Sequence, residues 1–140
     1  MEQNTIQNTM QNTIQKPLTI SINDGGLVTM FFTSDLTHDV MDEYKKELDK
    51  GVKLIEEYYQ AHTRKVRVIL DIQNFTGNYS LDALTALVSF AKKNTPYVDR
   101  TASFGGSDKV KMAGEVAIAL SMRDNIRIFD TKEEAMTWIG

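Results

Sequence analysis

The side chains that could do chemistry in this 140-residue chain are few and widely spaced. The chain has no cysteine, and its two histidines, His38 and His62, stand far apart in the sequence. Thiolate chemistry, disulfides and cysteine-ligated metals are therefore excluded, and two distant histidines offer little for a transition-metal site. Serine, histidine and aspartate are all present, but no spacing commits them to a common triad. We accordingly expect no enzymatic activity and no cofactor.

One serine stands where a polar turn leads from an apolar strand into a helix. The strand, Val66 to Ile72, is too uniformly apolar to have a solvent-exposed face. This composition predicts a central strand that is buried on both sides. The helix begins at Ser80, whose hydroxyl is suited to accept a hydrogen bond from a backbone N–H of the first turn. The alternative is phosphorylation of Ser80, which would add a charge of about −1.5 to −2 to the surface.

Two further groups follow the ends of strands. Asp71 is suited to orient the turn after it through backbone N–H groups, and a lone carboxylate lacks the paired acid of glycosidase chemistry. Two glycines and a serine fall between a strand and a helix: Gly105, Gly106 and Ser107. Their N–H groups could cradle an anion, with Lys109 adding charge; a tight turn followed by a helix cap is the alternative. The segment matches neither the phosphate loop nor the dinucleotide fingerprint.

Aromatic residues suggest a contact surface near the same strand end. If Phe75 and Tyr79 project from the turn beside Tyr97, the three rings form a surface for a protein partner or an apolar ligand. Burial of these rings in the core is an equal alternative. Because a sheet covered by helices carries its site at the carboxyl ends of its strands, the predicted contact surface comprises the turn Asn74 to Tyr79, the helix start at Ser80, and Gly105 to Lys109.

The elements that position these groups follow from hydrophobic periodicity. Two apolar segments flank the sequence Asp-Gly-Gly at residues 24–26, which predicts a β-hairpin. A long helix is predicted over about residues 37–62, where apolar residues recur at spacings of three and four. Its predicted buried stripe is Val40, Tyr44, Leu48, Val52, Ile55 and Tyr59.

The second half of the chain continues with alternating helices and strands. Helices are predicted to start at Ser80, Ser107 and Thr131, the last with a capping box to Glu134. The full order is β-β-α-β-α-β-α-β-α. Strands joined through helices run parallel with right-handed crossovers, and the hairpin adds an antiparallel edge. The predicted fold is therefore a single-domain α/β structure, with a mixed sheet of about five strands covered by helices.

Composition is that of an ordinary globular protein. The apolar fraction is 41%, the charged fraction is 25% and the net charge is −3, so no excess of positive charge favours nucleic acid as a partner. No apolar segment approaches the length of a membrane span. The N-terminus also lacks the basic start and apolar core of a secretory signal. We therefore expect a cytoplasmic protein.

The first residues repeat a four-residue unit, QNTI, QNTM, QNTI, over residues 3–15. Ile6, Met10 and Ile14 would drift around a helix by about 40° per repeat, and Asn and Thr are mediocre helix formers. We predict a flexible polar tail over residues 1–16 and a domain over residues 17–140. A short element induced by a partner is the alternative for the tail.

The element order, together with three segments of sequence, resembles the STAS-like proteins, in particular the branch similar to sporulation anti-sigma-factor antagonists. The segments are VRVILDIQNFTGNYSLDAL, RTASFGGSDKVKMAGEVA and IRIFDTKEEAMTWI, and the resemblance covers roughly residues 17–140. It implies a mixed sheet flanked by helices. From the better-understood members, it also implies a module that binds protein partners as a switch rather than an enzyme.

In the switching members, a serine in an Asp-Ser-x-Gly-like turn starts the helix after the central strand and accepts phosphate from a partner kinase. Ser80 falls at this place, but Tyr79 precedes it and Asp82 stands two residues after it, so the acidic residue and the glycine are absent. The resemblance implies a regulatory protein-interaction module, with a homodimer left open. Other STAS-like proteins resemble carriers of small apolar or lipid-like ligands, which implies a pocket between helices as the alternative.

Overall fold

The computed structural model describes residues 16–140. The predicted tail, residues 1–16, lies outside the described residues except for Lys16. The described chain confirms the predicted α/β fold class and element order. The strands are β1 Leu18–Ile22, β2 Leu27–Phe32, β3 Val66–Asp71, β4 Val98–Phe104 and β5 Ile126–Phe129. The α-helices are α1 Met41–His62, α2 Leu81–Asn94, α3 Asp108–Ser121 and α4 Lys132–Ile139.

The five strands form one mixed sheet in the order β1-β2-β3-β4-β5. Strand β1 pairs antiparallel with β2, and the pairs from β2 to β5 are parallel. Strand β3 is therefore central, as its uniformly apolar sequence predicts. Right-handed crossovers are the rule for parallel strands, and because each crossover adds the next strand on the same side, α1, α2 and α3 cover one face. Helix α4, which follows the last strand, packs against the other face.

Each face of the sheet has its own apolar core. The larger core joins α1 and α2 to the first four strands, and Tyr44 and Ile55 of α1 are fully buried in it. The smaller core packs Ala135 and Ile139 of α4 against β3 and β4. Of the predicted stripe, Tyr44, Leu48 and Ile55 are buried, and Val40 and Val52 are half-buried against the same core. The stripe needs one correction: Tyr59 does not join this core, and the preceding residue, Tyr58, is buried in its place.

Helix α1 approaches the sheet most closely at Gly51. A Cβ atom at this position would lie 2.6 Å from Ile20 Cδ1 and 3.1 Å from Phe90 Cε1. Such distances leave no room for a side chain, because the interior is already packed at crystal-like density. The glycine thus allows the helix to touch both β1 and α2.

Helix α3 is packed less completely than the other helices on its face. Only two of its residues are buried, Val110 and Ser121. Large apolar residues on its outer side are exposed: Met112, Val116 and Leu120. Small residues line its inner side, and the sheet and α2 do not fill the space below them: Ala113, Gly114 and Ala117.

Candidate functional site

Three connecting segments meet at the carboxyl edge of the sheet. They are the β2–α1 loop at residues 33–37, the β3–α2 turn at residues 72–80, and the β4–α3 turn at residues 105–107. They come together because β2, β3 and β4 run parallel and end at the same edge. The predicted contact surface thus lies on segments that the topology brings together.

Asp35 in the β2–α1 loop holds the β3–α2 turn from the side. Its Oδ1 accepts a hydrogen bond from the Thr76 backbone N–H at 2.6 Å. Its Oδ2 accepts bonds from the Thr76 hydroxyl and from Asn78 Nδ2, the latter at 3.0 Å. Partial burial acts to raise the pKa of Asp35, but the hydrogen bonds from Thr76 and Asn78 outweigh it and hold that pKa below its ordinary value. The Asp35 carboxylate is therefore charged when it accepts these hydrogen bonds.

Asp35 is not among the site residues predicted from the sequence. An aspartate after a strand is an ordinary loop residue, and its partner Thr76 lies 41 positions away. The only local signal was the polar run Ser34–Asp35 between two apolar elements. That run indicates a loop but says nothing about which segment the loop contacts.

Backbone hydrogen bonds from the β2–α1 loop also hold the β3–α2 turn in place. Leu36 donates its N–H to the Asn78 carbonyl at 3.0 Å, and Ser80 donates its N–H to the Leu36 carbonyl at 2.9 Å. From the opposite side, Lys109 Nζ of α3 donates to Asn78 Oδ1 at 3.2 Å. The turn is thus exposed but held on two sides.

Ser80 occupies the N-cap position of α2. Its backbone is extended and its hydroxyl accepts a hydrogen bond from the Ala83 N–H at 3.1 Å. The same hydroxyl lies 3.6 Å from Met41 Sδ, to which it donates. The predicted cap is therefore present. Ser107 caps α3 in the same way, through the Val110 N–H at 3.4 Å.

We expect the Ser80→Ala variant to lose about 1 kcal/mol of unfolding free energy, because alanine leaves an N–H of the first turn without its acceptor. Urea denaturation of wild type and variant measures the difference. Ser89→Ala, in the middle of the same helix, is the matched control and should cost nothing, since alanine is the better helix former there. Equal losses from both substitutions would contradict the capping role.

The glycine pair of the β4–α3 turn allows two turns to touch. Gly105 has a φ of +91°, and a Cβ atom there would overlap Gln73 Cγ. A Cβ at Gly106 would lie 2.8 Å from Val110 Cγ1 and 2.9 Å from Ile72 Cδ1. These contacts give the pair a packing role beside the Ser107 cap. The anion cradle at Gly105 to Ser107 stays a prediction.

The predicted aromatic cluster is corrected at one position. The rings of Phe75 and Tyr79 do lie together, with centroids 6.4 Å apart, and Tyr79 is 38% exposed. Tyr97 instead lies 5.1 Å from Tyr59, centroid to centroid. The reason is strand direction: Tyr97 precedes β4 and so lies at the amino edge of the sheet, whereas Phe75 follows the carboxyl end of β3.

Two apolar cavities lie between α2, α3 and the sheet. The one nearer the amino edge, here called the inner cavity, has a volume of about 100 Å³ and reaches Asn94 and Arg123. The other, the rim cavity, has a volume of about 90 Å³ and reaches Phe75 and Tyr79. The two share lining residues and therefore adjoin: Leu70, Leu87, Ser103, Gly114 and Ala117.

A mixed five-stranded sheet with three helices on one face and one on the other is the STAS fold. The sequence profile of the SpoIIAA-like family matches residues 27–140. The chain belongs to the SpoIIAA-like family. No curated protein sequence matches it significantly.

Solved structures share this fold at low sequence identity. A candidate anti-sigma factor antagonist from Thermotoga maritima superposes with a TM-score of 0.61 at 16% identity, covering 87% of this chain and 93% of that one. SpoIIAA in its unphosphorylated form gives 0.58 at 10% identity, covering 87% and 96%. SLC26A9 gives 0.59 at 11% identity, covering 97% of this chain but 26% of its own. These likenesses show the fold.

The same fold therefore also occurs as a part of a much longer chain. Within residues 16–140 of the present protein, no helix combines the length and the apolar composition that crossing a membrane requires.

Proposed function

We propose that this protein is a non-enzymatic regulatory module that docks a protein partner through the turn Asn74 to Ser80. One observation carries the proposal: the turn is exposed and yet held in one conformation. Asn74 and Tyr79 face solvent, while the carboxylate of Asp35 and the Leu36 backbone fix the chain between them. A surface ordered in advance loses less conformational entropy on binding, which favours a recognition role.

The chemistry of this surface suits a protein partner. Tyr79 offers a large ring with a polar tip, the kind of residue that contributes most to interfaces. Leu81 beside it is 77% exposed, and the Lys45–Asp82 ion pair, at 2.8 Å, borders it. An apolar centre with a polar rim is the usual composition of a docking site. The similar structures described as anti-sigma factor antagonists are consistent with such a role.

A phosphate switch at Ser80 is not required for this proposal. Its hydroxyl is half-buried and makes two contacts, accepting from Ala83 and donating to Met41. Tyr79 and Asp82 replace the acidic residue and the glycine that flank the serine in switching relatives. We therefore assign Ser80 to capping within the docking surface.

Capture of partners with immobilised protein tests the docking surface. We expect Tyr79→Ser to reduce the amount of captured partner at least about tenfold, since an interface tyrosine often contributes more than 1.4 kcal/mol. Tyr97→Ser, which removes the same side chain at the opposite edge of the sheet, is the matched control and should retain capture. Partner capture that survives Tyr79→Ser and Phe75→Ser alike would refute this surface.

A second candidate function is carriage or sensing of a small apolar or lipid-like ligand. The two adjoining cavities favour it, because they lie between helices and have almost wholly apolar walls, as ligand sites do. Native mass spectrometry of gently purified protein should show an additional mass that denaturation releases. Absence of such a mass, together with no thermal shift on adding apolar ligands, would refute the carrier function.

A further inference from the structure

Helix α3 carries an apolar stripe on its solvent side. Met112, Val116 and Leu120 recur at a spacing of four residues and are 68%, 48% and 50% exposed. Glu115 is the single charged residue of the helix between Met112 and Leu120. Apolar residues scattered singly over a surface are ordinary, but a contiguous exposed patch marks an interaction site. The stripe therefore indicates a contact between α3 and a further segment.

The N-terminal repeat has the same spacing as this stripe. Ile6, Met10 and Ile14, which lie outside the described residues, also recur every four positions, and residues 3–15 include no charged side chain. In a helix, side chains four positions apart are separated by about 6 Å along the axis. In an extended chain the separation is about 13 Å. A helical repeat would therefore match the α3 stripe side chain for side chain.

The start of β1 lies too far from α3 for this contact to form within one molecule. Pro17 is fixed there, because its carbonyl accepts the Thr33 N–H at 2.9 Å. Helix α3 connects β4 to β5, at least three strand spacings or about 14 Å across the sheet, and the stripe lies on the far side of a helix about 10 Å thick. Ile14 precedes Pro17 by three residues, which span at most about 11 Å. A helix that includes Ile14 therefore reaches the stripe of a second copy and not its own.

We propose that the repeat of one copy, residues 3–15, docks as a helix on the α3 stripe of a second copy, and that two copies exchange these segments in a closed dimer. Reciprocal exchange covers both stripes and gives two-fold symmetry. Rows of side chains four residues apart fit into each other's grooves when the helix axes cross at about −50°. Because Asn and Thr are mediocre helix formers, the segment folds as it binds, which makes the contact weak and dependent on concentration.

Sedimentation velocity of the full chain over a range of concentrations tests the dimer. We expect wild type to show a monomer–dimer equilibrium. Met10→Gln and Val116→Gln should each raise the dissociation constant at least about tenfold, because each removes the central apolar side chain from both contacts. The matched controls are Asn8→Gln, at a polar position of the repeat, and Glu115→Gln, beside the stripe; both should leave the dissociation constant unchanged.

A paramagnetic tag distinguishes exchange between copies from other modes of association. The chain has no cysteine, so Asn8→Cys provides a unique attachment site for a nitroxide. The tagged protein is mixed with ¹⁵N-labelled, untagged wild type, and only amides of the labelled copy are observed. We expect the amides from Met112 to Leu120 to broaden, whereas those of α4, on the opposite face of the sheet, should keep their intensity.

Three outcomes would overturn the proposal. The first is a wild-type chain that stays monomeric at the highest concentration reached. The second is a dimer that Val116→Gln weakens and Met10→Gln does not, which would assign the interface to two α3 stripes in direct contact. The third is an α3 that the tag on another copy does not broaden. None of these results bears on the docking turn Asn74 to Ser80, because the outer side of α3 is not part of that surface.

Discussion

Replacing Asp35 with alanine should make the Thr76 amide exchange with deuterium about ten- to a hundredfold faster and weaken partner docking through the turn. A hydrogen bond to a charged acceptor contributes about 1.5–3 kcal/mol, and each 1.4 kcal/mol corresponds to tenfold in the opening equilibrium. Asp35 accepts three such bonds, from the Thr76 N–H, the Thr76 hydroxyl and Asn78. Hydrogen exchange with mass spectrometry or NMR measures the effect at single amides.

The matched control is Asp39→Ala. Asp39 is an exposed carboxylate four positions further along that accepts a bond from the Thr37 hydroxyl, within its own segment. Its removal should leave the exchange of Thr76 unchanged. If Asp35→Ala leaves Thr76 protected, or if both variants lose partner binding equally, the turn does not depend on Asp35 and the proposed docking surface is refuted.

The contribution of Asp35 to the stability of the folded protein should also depend on pH, and it should fall as the pH falls. The pKa of its carboxyl is lowered in the folded protein from the ordinary value of 3.8. A group of this kind contributes stability that is fully present above its unfolded-state pKa and is lost as the pH falls through its folded-state pKa. The stability difference between wild type and Asp35→Asn should therefore be constant near neutral pH and shrink only below about pH 4.

Replacing Gly51 with leucine should lower the unfolding free energy by about 3 kcal/mol, the upper end of the usual cost of overpacking. The first side-chain atom already lies 2.6 Å from Ile20 Cδ1 and 3.1 Å from Phe90 Cε1. Helix α1 would have to move away from β1 and α2 to admit the rest. Urea denaturation, with circular dichroism of the folded baseline, measures the loss.

Two companion variants separate overpacking from a general effect of leucine on the helix. Lys53→Leu adds leucine to the exposed side of α1 and should change stability by less than about 0.5 kcal/mol. Shortening the neighbour in the double variant Gly51→Ala/Ile20→Val should recover stability relative to Gly51→Ala alone, since the alanine gains about 1 kcal/mol of helix propensity once the clash is relieved. A Gly51→Leu protein as stable as wild type would contradict the close approach.

Much of the fold could be predicted because its signals are local. The uniformly apolar run from Val66 predicted the central strand, and period-3.6 stripes predicted the helices. The caps at Ser80, Ser107 and Thr131 were predictable because each involves a side chain and an N–H only three residues apart. Which face the first three helices cover follows from right-handed crossovers only once the strand order is known, and the structure supplies that order.

The site was predictable only in part, because its contacts join distant segments. Nothing in the sequence near Asp35 indicates Thr76 as its partner, 41 positions away. Tyr97 was grouped with Phe75 and Tyr79 although it precedes its strand and Phe75 follows the strand before, so the parallel direction of β3 and β4 separates the rings. The cavities below α3 likewise arise only when Ala113, Gly114 and Ala117 face a sheet that does not fill the space they leave.

Sequence alone thus determined the elements, their order, the caps and the edge at which the protein presents its exposed turn, since these depend on periodicity and on neighbours within one helical turn. The tertiary structure decided which loop holds that turn, which aromatic rings accompany it, and that the half-buried Arg123 and the unpaired amide oxygen of Asn94 share one end of an apolar cavity. Those features depend on packing between segments far apart in the chain, and local propensity carries no information about such packing.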